Sequence, residues 1–277
     1  MITCSICSKN IILSVGDKEI SYCASCNHYM YNESQDKEIL FSHSHVGDYQ
    51  LSTREKQFKK VFDLILQKDS NPSFLEIGAG FGGYINYANR LGFECTAVDI
   101  DNHYEKNYLN AGIKFIQEDA NMLGVNIASS VVILSHIIEH LESPKNLINY
   151  LEKQNVQYLI VEIPSSHGLI FQLSKFLIKF NILFIWNRLW QKNSDSPHLH
   201  YFSDKSINKL FYDNNFEVQE TISSRFASFK GSFKRASTTE NFLISLISVV
   251  AIQFLEFLNY LLKRPENKIY IVKKIKK

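Results

Sequence analysis

Phe74-Leu75-Glu76-Ile77-Gly78-Ala79-Gly80-Phe81-Gly82-Gly83 decides the fold: an apolar run of strand length enters a glycine-rich turn, and the turn opens a helical pattern. Glycine suits such a turn because a Cβ would block both the tight backbone and its close approach to a ligand. About twenty residues on, Val98-Asp99 ends the next strand candidate and sets a carboxylate where a ribose would lie. Outward from this centre the patterning predicts strands over 73–77, 94–98, 114–117, 131–134 and 158–163, with two late ones at 216–221 and 268–272. Helical segments fall between the early strands, at 83–91 and at 144–153, the second with Ser143 as cap and Pro144 in the first helical position. The alternation predicts an α/β fold, a doubly wound, mostly parallel seven-stranded sheet whose ligand sits at the carboxyl ends of the strands.

The loop fits two nucleotides. Gly78, Gly80 and Gly83 satisfy G-x-G-x-x-G, with Asp99 at the offset of a dinucleotide's ribose ligand. Glu76, Gly78, Gly80 and Gly82 satisfy E-x-G-x-G-x-G, which resembles the first motif of Rossmann-like, S-adenosylmethionine-dependent methyltransferases. Three features favour the second. Glu76 would repel a pyrophosphate and attract the ammonium and sulfonium charges of S-adenosylmethionine. Gln117-Glu118-Asp119-Ala120 is similar to the acidic turn that contacts adenine in that family. The run from Val131 to Leu141, ending His136-Ile137-Ile138-Glu139-His140, resembles the family's segment after the fourth strand. The resemblance implies cofactor contacts at Glu76, Gly78, Gly80, Gly82, Asp99, Asp119, Ala120 and His136. H-x-x-E-H is also a zinc-protease signature, and on a helix His136 and His140 would share a face. Here it follows an apolar strand with no evident third ligand, so the better assignment has His136 lining the cofactor pocket and Glu139 and His140 shaping the site.

Four of the five cysteines stand in two pairs, Cys4-x-x-Cys7 and Cys23-x-x-Cys26, the spacing of a structural Cys₄ zinc site. The chain between them, with a turn at Val15-Gly16-Asp17, suits a small β-ribbon, and His28 beyond Cys26 is expected on the surface. Cys95 reads as a buried small hydrophobe. The expected organisation is a zinc-ribbon-like module over 1–35, a helical linker over 36–70, and a methyltransferase domain over 71–277 carrying apolar helical insertions near 169–190 and 242–262.

As a whole the chain resembles the zinc-module methyltransferases of deoxysugar and surface-glycan biosynthesis. The likeness rests on the cysteine pairs with Asn27-His28-Tyr29-Met30-Tyr31, the linker aromatic Tyr49, and Pro197-His198-Leu199-His200-Tyr201-Phe202-Ser203. That last run is similar to the E-H-x-x-Y-F-S of sugar C-methyltransferases. By that match His198 inherits the role of catalytic base, with His200 as second choice, His140 beside them, and Tyr49 against the cofactor. Pro197 stands where the family has Glu, and the chain ends before a second Rossmann-like domain, so an O- or N-methyltransferase fits better than a C-methyltransferase. The implied cofactors are S-adenosylmethionine and structural Zn²⁺, and the implied acceptor is a small or glycan-like molecule.

A net charge of +2 argues against a nucleic-acid partner, although an RNA methyltransferase with a zinc module and a non-enzymatic zinc-ribbon protein remain as alternatives. No signal peptide is visible, which predicts a cytoplasmic protein. The segments 169–190 and 242–262 are expected to pack as helices on the sheet or on a partner. Lys175, Lys179 and Arg188 within the first also suit peripheral contact with the inner face of a membrane. The acceptor, the methylated atom and the oligomeric state have no legible motif.

Overall fold

The computed structural model describes residues 2–11, 13–15, 19–32, 49–192, 194, 196–224 and 242–275; the side chains of 13, 49–53, 242–249 and 251–252 lie outside that description. The expected strands form one seven-stranded sheet from β6 (Phe74–Ile77), β7 (Cys95–Asp99), β8 (Lys114–Gln117), β9 (Val131–Ser135), β10 (Tyr158–Pro164), β12 (Phe216–Ser224) and β13 (Asn267–Lys274). Their order is β12-β13-β10-β9-β6-β7-β8. β8 through β10 run parallel, while β13 enters antiparallel between β10 and β12. β10 is buried along its whole length, which is why its sequence is a near-continuous apolar run. β8 lies at the sheet edge and shows Lys114 and Gln117 to solvent.

Helices cover both faces. α1 (Tyr49–Leu66) packs Phe58, Val61, Phe62 and Ile65 against Phe74 and against Tyr84 and Tyr87 of α2 (Gly83–Arg90). The described part of the stretch expected as a linker, 49–70, is thus packed onto the core by its helix. α3 (Glu105–Asn110) connects β7 to β8. On the opposite face, Leu147, Ile148 and Leu151 of α4 (Pro144–Glu152) meet Leu75, Val132 and Leu134. So do Ile207, Leu210 and Phe211 of α7 (Asp204–Tyr212), whose start is fixed by a reciprocal Ser203/Ser206 capping box.

The N-terminal segment holds β1 (Ile2–Thr3), β2 (Asn10–Ile11), β3 (Leu13–Val15), β4 (Ile20–Cys23) and β5 (His28–Tyr31). The first two pair with each other, and β3 and β4 form the expected ribbon; the turn predicted at 15–17 falls largely outside the described residues. Its sheet continues past its own sequence. β11 (His200–Tyr201), from the late Pro197–Ser203 run, pairs antiparallel with β5. Tyr29 and Ile20 then join Tyr201, Phe171, Trp186 and Trp190 in a separate aromatic core. Those last three come from the apolar segment 169–190, which folds as α5 (Leu169–Leu177), a 3-10 turn at Ile178–Phe180, and α6 (Phe184–Leu189). Its other face leaves Leu173, Phe176, Phe180, Ile182 and Phe184 exposed. α8 (Phe242–Leu262) precedes β13, as expected from the 242–262 run. Among the described residues, no helix is long and apolar enough to cross a membrane.

Candidate functional site

At the carboxyl end of β6 the chain turns through Gly78 (φ +65°), Gly80 (φ +50°) and Gly82 (φ +75°), all in the left-handed region. A Cβ on Gly78 would lie 2.4 Å from Ile137 Cδ1, and one on Gly82 would strike Tyr108 and Asn86 at 2.7–2.8 Å. Gly83 already lies inside α2. The backbone therefore demands glycine at 78, 80 and 82, the E-x-G-x-G-x-G set, and not at 83 as G-x-G-x-x-G would have it. Gly80 N donates to Asp99 Oδ2 at 2.7 Å, and the Tyr108 hydroxyl donates to Gly80 O at 2.7 Å, so the turn is held open from two sides. Glu76 is buried and accepts from Ile85 N at 2.8 Å. Burial pushes its carboxyl up to about 8 despite that hydrogen bond.

Asp119 and Ala120 follow β8, both half-buried, with Asp119 Oδ1 accepting from Asn121 N at 2.8 Å. His136 follows β9 with φ +54°, and its amide donates to Glu162 O at 2.8 Å. Glu76, the glycines, Asp99, Asp119, Ala120 and His136 thus gather at the carboxyl ends of four adjacent parallel strands, β9, β6, β7 and β8. Tyr49 opens α1, but its side chain lies outside the described residues.

Beside them is a group the sequence left unread. Glu162, fully buried on β10, pairs with Arg54 of α1 and accepts from Tyr84 Oη at 2.8 Å, Ser224 Oγ at 2.7 Å and Gln57 Nε2 at 3.2 Å. Burial opposes its charge, but Arg54 and His136 prevail and hold its carboxyl below the usual range. A lone acid inside the apolar run of β10 was the one available signal.

The segment from His136 to His140 is a turn, not a helix, so its two histidines do not share a helix face. His136 Nδ1 meets Glu139 Oε1 at 3.1 Å, while the Glu139 backbone carbonyl accepts from Leu199 N and His200 N. These bonds bring the late run onto the turn. The rings of His140 and His198 lie 4.7 Å apart, and a donor atom from each of Glu139, His140 and His198 lies within 4.8 Å of the others. This grouping leaves out His136, so the metal pair of the H-x-x-E-H reading, His136 with His140, does not form. Burial and His140 push the His198 imidazole down to about 4, leaving it neutral.

His200 goes elsewhere. It is buried, its Nε2 lies 2.9 Å from Leu141 O, and its Nδ1 lies 3.1 Å from His28 Nε2. Nε2 must donate to the carbonyl, so Nδ1 accepts from His28, and neither nitrogen has a lone pair for a substrate proton. His28, expected on the surface, is fully buried in that contact; it faces inward because β5 pairs with β11. Cys95 is buried as expected.

Cys4, Cys7, Cys23 and Cys26 converge, with Sγ–Sγ distances of 3.5 Å for Cys4–Cys26 and for Cys7–Cys23, and all four sulfurs within 4.8 Å. A tetrahedral ion with Zn–S bonds of ~2.3 Å needs sulfur edges of roughly 3.8 Å, so the set fits one. Each pair is followed by a left-handed residue, Ser8 and Asn27, giving two matching knuckles.

A family model described as a methyltransferase domain matches residues 50–221. The chain belongs to that methyltransferase family. The magnesium protoporphyrin IX methyltransferase of Synechocystis PCC 6803, solved with bound S-adenosylhomocysteine, shares the fold at a TM-score of 0.50 and 16% identity. The match covers 84% of this chain and 90% of that one. The [4+2]-cyclase SpnF matches at 0.50 with 12% identity, over 78% of this chain and 81% of its own. No curated protein matches the methyltransferase in sequence. With the family, the fold and the glycine loop together, the enzyme is an S-adenosylmethionine-dependent methyltransferase of the Rossmann-like class.

Proposed function

We propose that the methyltransferase modifies a hydroxyl of a sugar or surface-glycan precursor, binding S-adenosylmethionine across the ends of β6, β7, β8 and β9. The carrying observation is the glycine turn pinned to Asp99, with Glu76 buried beneath it. Gly78, Gly80 and Gly82 give the cofactor backbone access, Asp99 takes the ribose hydroxyls, and Asp119 and Ala120 flank the adenine. Glu76 and His136 line the methionine end. When bound, the cofactor supplies a methyl group already electrophilic at sulfur, so the protein's part is in-line positioning of the acceptor. Activation of the acceptor hydroxyl falls to the cluster of His140 and His198 beside Glu139. His200 serves instead to lock the N-terminal module to the catalytic domain, and Cys4, Cys7, Cys23 and Cys26 hold a structural Zn²⁺ that keeps the module folded.

A thermal-shift titration with S-adenosylhomocysteine and with NAD tests the cofactor. Stabilisation by the first alone is expected, about 2.7 kcal/mol at a hundredfold excess over Kd. Stabilisation by NAD alone would reassign the loop. A screen of nucleotide sugars with labelled cofactor then tests the acceptor, and transfer to ribosomal RNA instead would overturn it.

The same enzyme is proposed to work in the cytoplasm at the inner membrane face. Phe176, Phe180 and Phe184 stand 53%, 63% and 73% exposed beside Lys179 and Arg188, the apolar-plus-basic surface that anionic lipid favours. Sedimentation with anionic vesicles should carry the enzyme down and spare Phe176→Ser/Phe180→Ser/Phe184→Ser. A wild-type enzyme left in the supernatant would sink the idea.

A further inference from the structure

The turn after β9 and the late loop bring together two imidazoles and a carboxylate that hydrogen bonding leaves ready for one more partner. Glu139 is fully buried, Oε1 meets His136, and Oε2 has no hydrogen-bond partner. A buried carboxylate oxygen without a partner is costly, so it marks a place where something belongs.

The histidine tautomers point the same way. His140 Nδ1 lies 2.9 Å from Pro197 O, a carbonyl that can only accept, so Nδ1 carries the proton and Nε2 the lone pair. His198 Nδ1 lies 3.3 Å from Tyr201 Oη, whose single proton is given to Leu189 O at 3.1 Å. Tyr201 must therefore accept, and His198 too keeps its proton on Nδ1 and its lone pair on Nε2. Gln191 Nε2 donates to that lone pair at 3.1 Å and swings away for an ion to take its place. Two imidazoles, each fixed by a bond from the other ring nitrogen, form the outer support that metal-ligating histidines need. One ligand atom of each of the three residues lies within 4.8 Å of the others, and Zn–N bonds of ~2.1 Å would draw the donors to roughly 3.4 Å.

We infer that Glu139, His140 and His198 hold a divalent transition-metal ion whose open coordination position binds the acceptor hydroxyl. Two nitrogens and one carboxylate suit zinc, iron or manganese and leave a position free. The site adjoins the cofactor loop: Ile137, two residues before Glu139, is the side chain that excludes a Cβ at Gly78. The ion lowers the pKa of the bound hydroxyl. The O–H bond breaks and its proton passes to water; the oxygen bonds to the methyl carbon; the C–S bond breaks with its electron pair on sulfur, giving the methyl ether and S-adenosylhomocysteine. This use of the ion rests on the proposed methyl transfer to a hydroxyl, whereas its binding rests on the donors alone.

The full chain, equilibrated with excess zinc and desalted, is assayed for zinc per chain beside His140→Ala, His198→Ala and Glu139→Gln. Two ions in the native protein and one in each variant are expected, the remaining ion being that of the cysteines. One ion in the native protein, or two in every variant, would overturn the inference. Thermal shift with S-adenosylhomocysteine on the same samples keeps the two proposals apart: a missing shift with two zinc ions would sink the cofactor assignment and leave the metal site standing. Should the variants not fold, manganese titration of the native chain followed by electron paramagnetic resonance decides. Manganese avoids thiolates, so one saturable site displaced by zinc supports the inference and none overturns it.

Discussion

Cys4, Cys7, Cys23 and Cys26 all come from one short segment, whose two knuckles each present a pair of sulfurs. Glu139, His140 and His198 come from two loops far apart in the chain, and meet only because the Glu139 carbonyl accepts the amides of Leu199 and His200. The first cluster is written in spacing and the second in tertiary contact. Their structural dependence differs accordingly. The sulfurs organise a module with little core of its own, while the turn at Glu139 leans on a sheet that is folded already.

That contrast is broken most directly at the sulfurs. Cys4→Ser/Cys26→Ser should abolish zinc binding at the module and cost on the order of 5 kcal/mol, a large part of what such an ion supplies. A urea melt followed by far-UV circular dichroism would read it, and a loss under about 1 kcal/mol would show that the module folds without metal. Next is Gly78→Ala, which combines a positive φ with a contact 2.4 Å from Ile137. It should cost about 2 kcal/mol and weaken S-adenosylhomocysteine binding, with Ile137→Ala relieving only the steric part. Full recovery in the double variant would mean that packing alone fixes this glycine.

His200→Ala tests the seam between the regions. It leaves His28 Nε2 and Leu141 O buried without their partner, at a cost of about 1–3 kcal/mol. Because neither His200 nitrogen is free for a proton, kcat in the surviving folded fraction should hold; a collapse of kcat with stability intact would restore His200 as base. A pH slope at Glu76 is the remaining test. Its pKa, near 8 in the fold against an ordinary 4.5, is raised, so its contribution is fully present below about 4.5 and is lost as pH rises toward 8. Glu76→Gln should flatten stability across that window. The sulfonium of S-adenosylmethionine favours the ionised form, so native affinity for S-adenosylmethionine should rise toward pH 8 and that of the variant should not.

Much of this was legible beforehand because it depends on neighbours in sequence. The strands were readable from apolar runs, the glycine turn from its residues, and the ribbon from cysteine spacing. Their ends moved by only a few residues; β12, for instance, continues to Ser224, where Ser224 reaches Glu162. Glu162 with Arg54 and Tyr84 was not readable, since its partners come from α1, α2 and β12 and share no spacing. The run 169–190 read as an apolar helix, yet its face bearing Phe171, Trp186 and Trp190 is the platform on which the module rests.

From sequence alone came the parallel sheet, the cofactor loop and the four sulfurs, because turn geometry and ligand spacing act over a few residues. Tertiary structure alone decided how the late histidines divide. Antiparallel pairing of β5 with β11 sends His200 into the buried contact with His28, while His198 lies before the strand begins, outside its alternation, and its ring meets His140. Two histidines in one short motif thus acquire different chemistry from where the strand begins, and no local pattern encodes that.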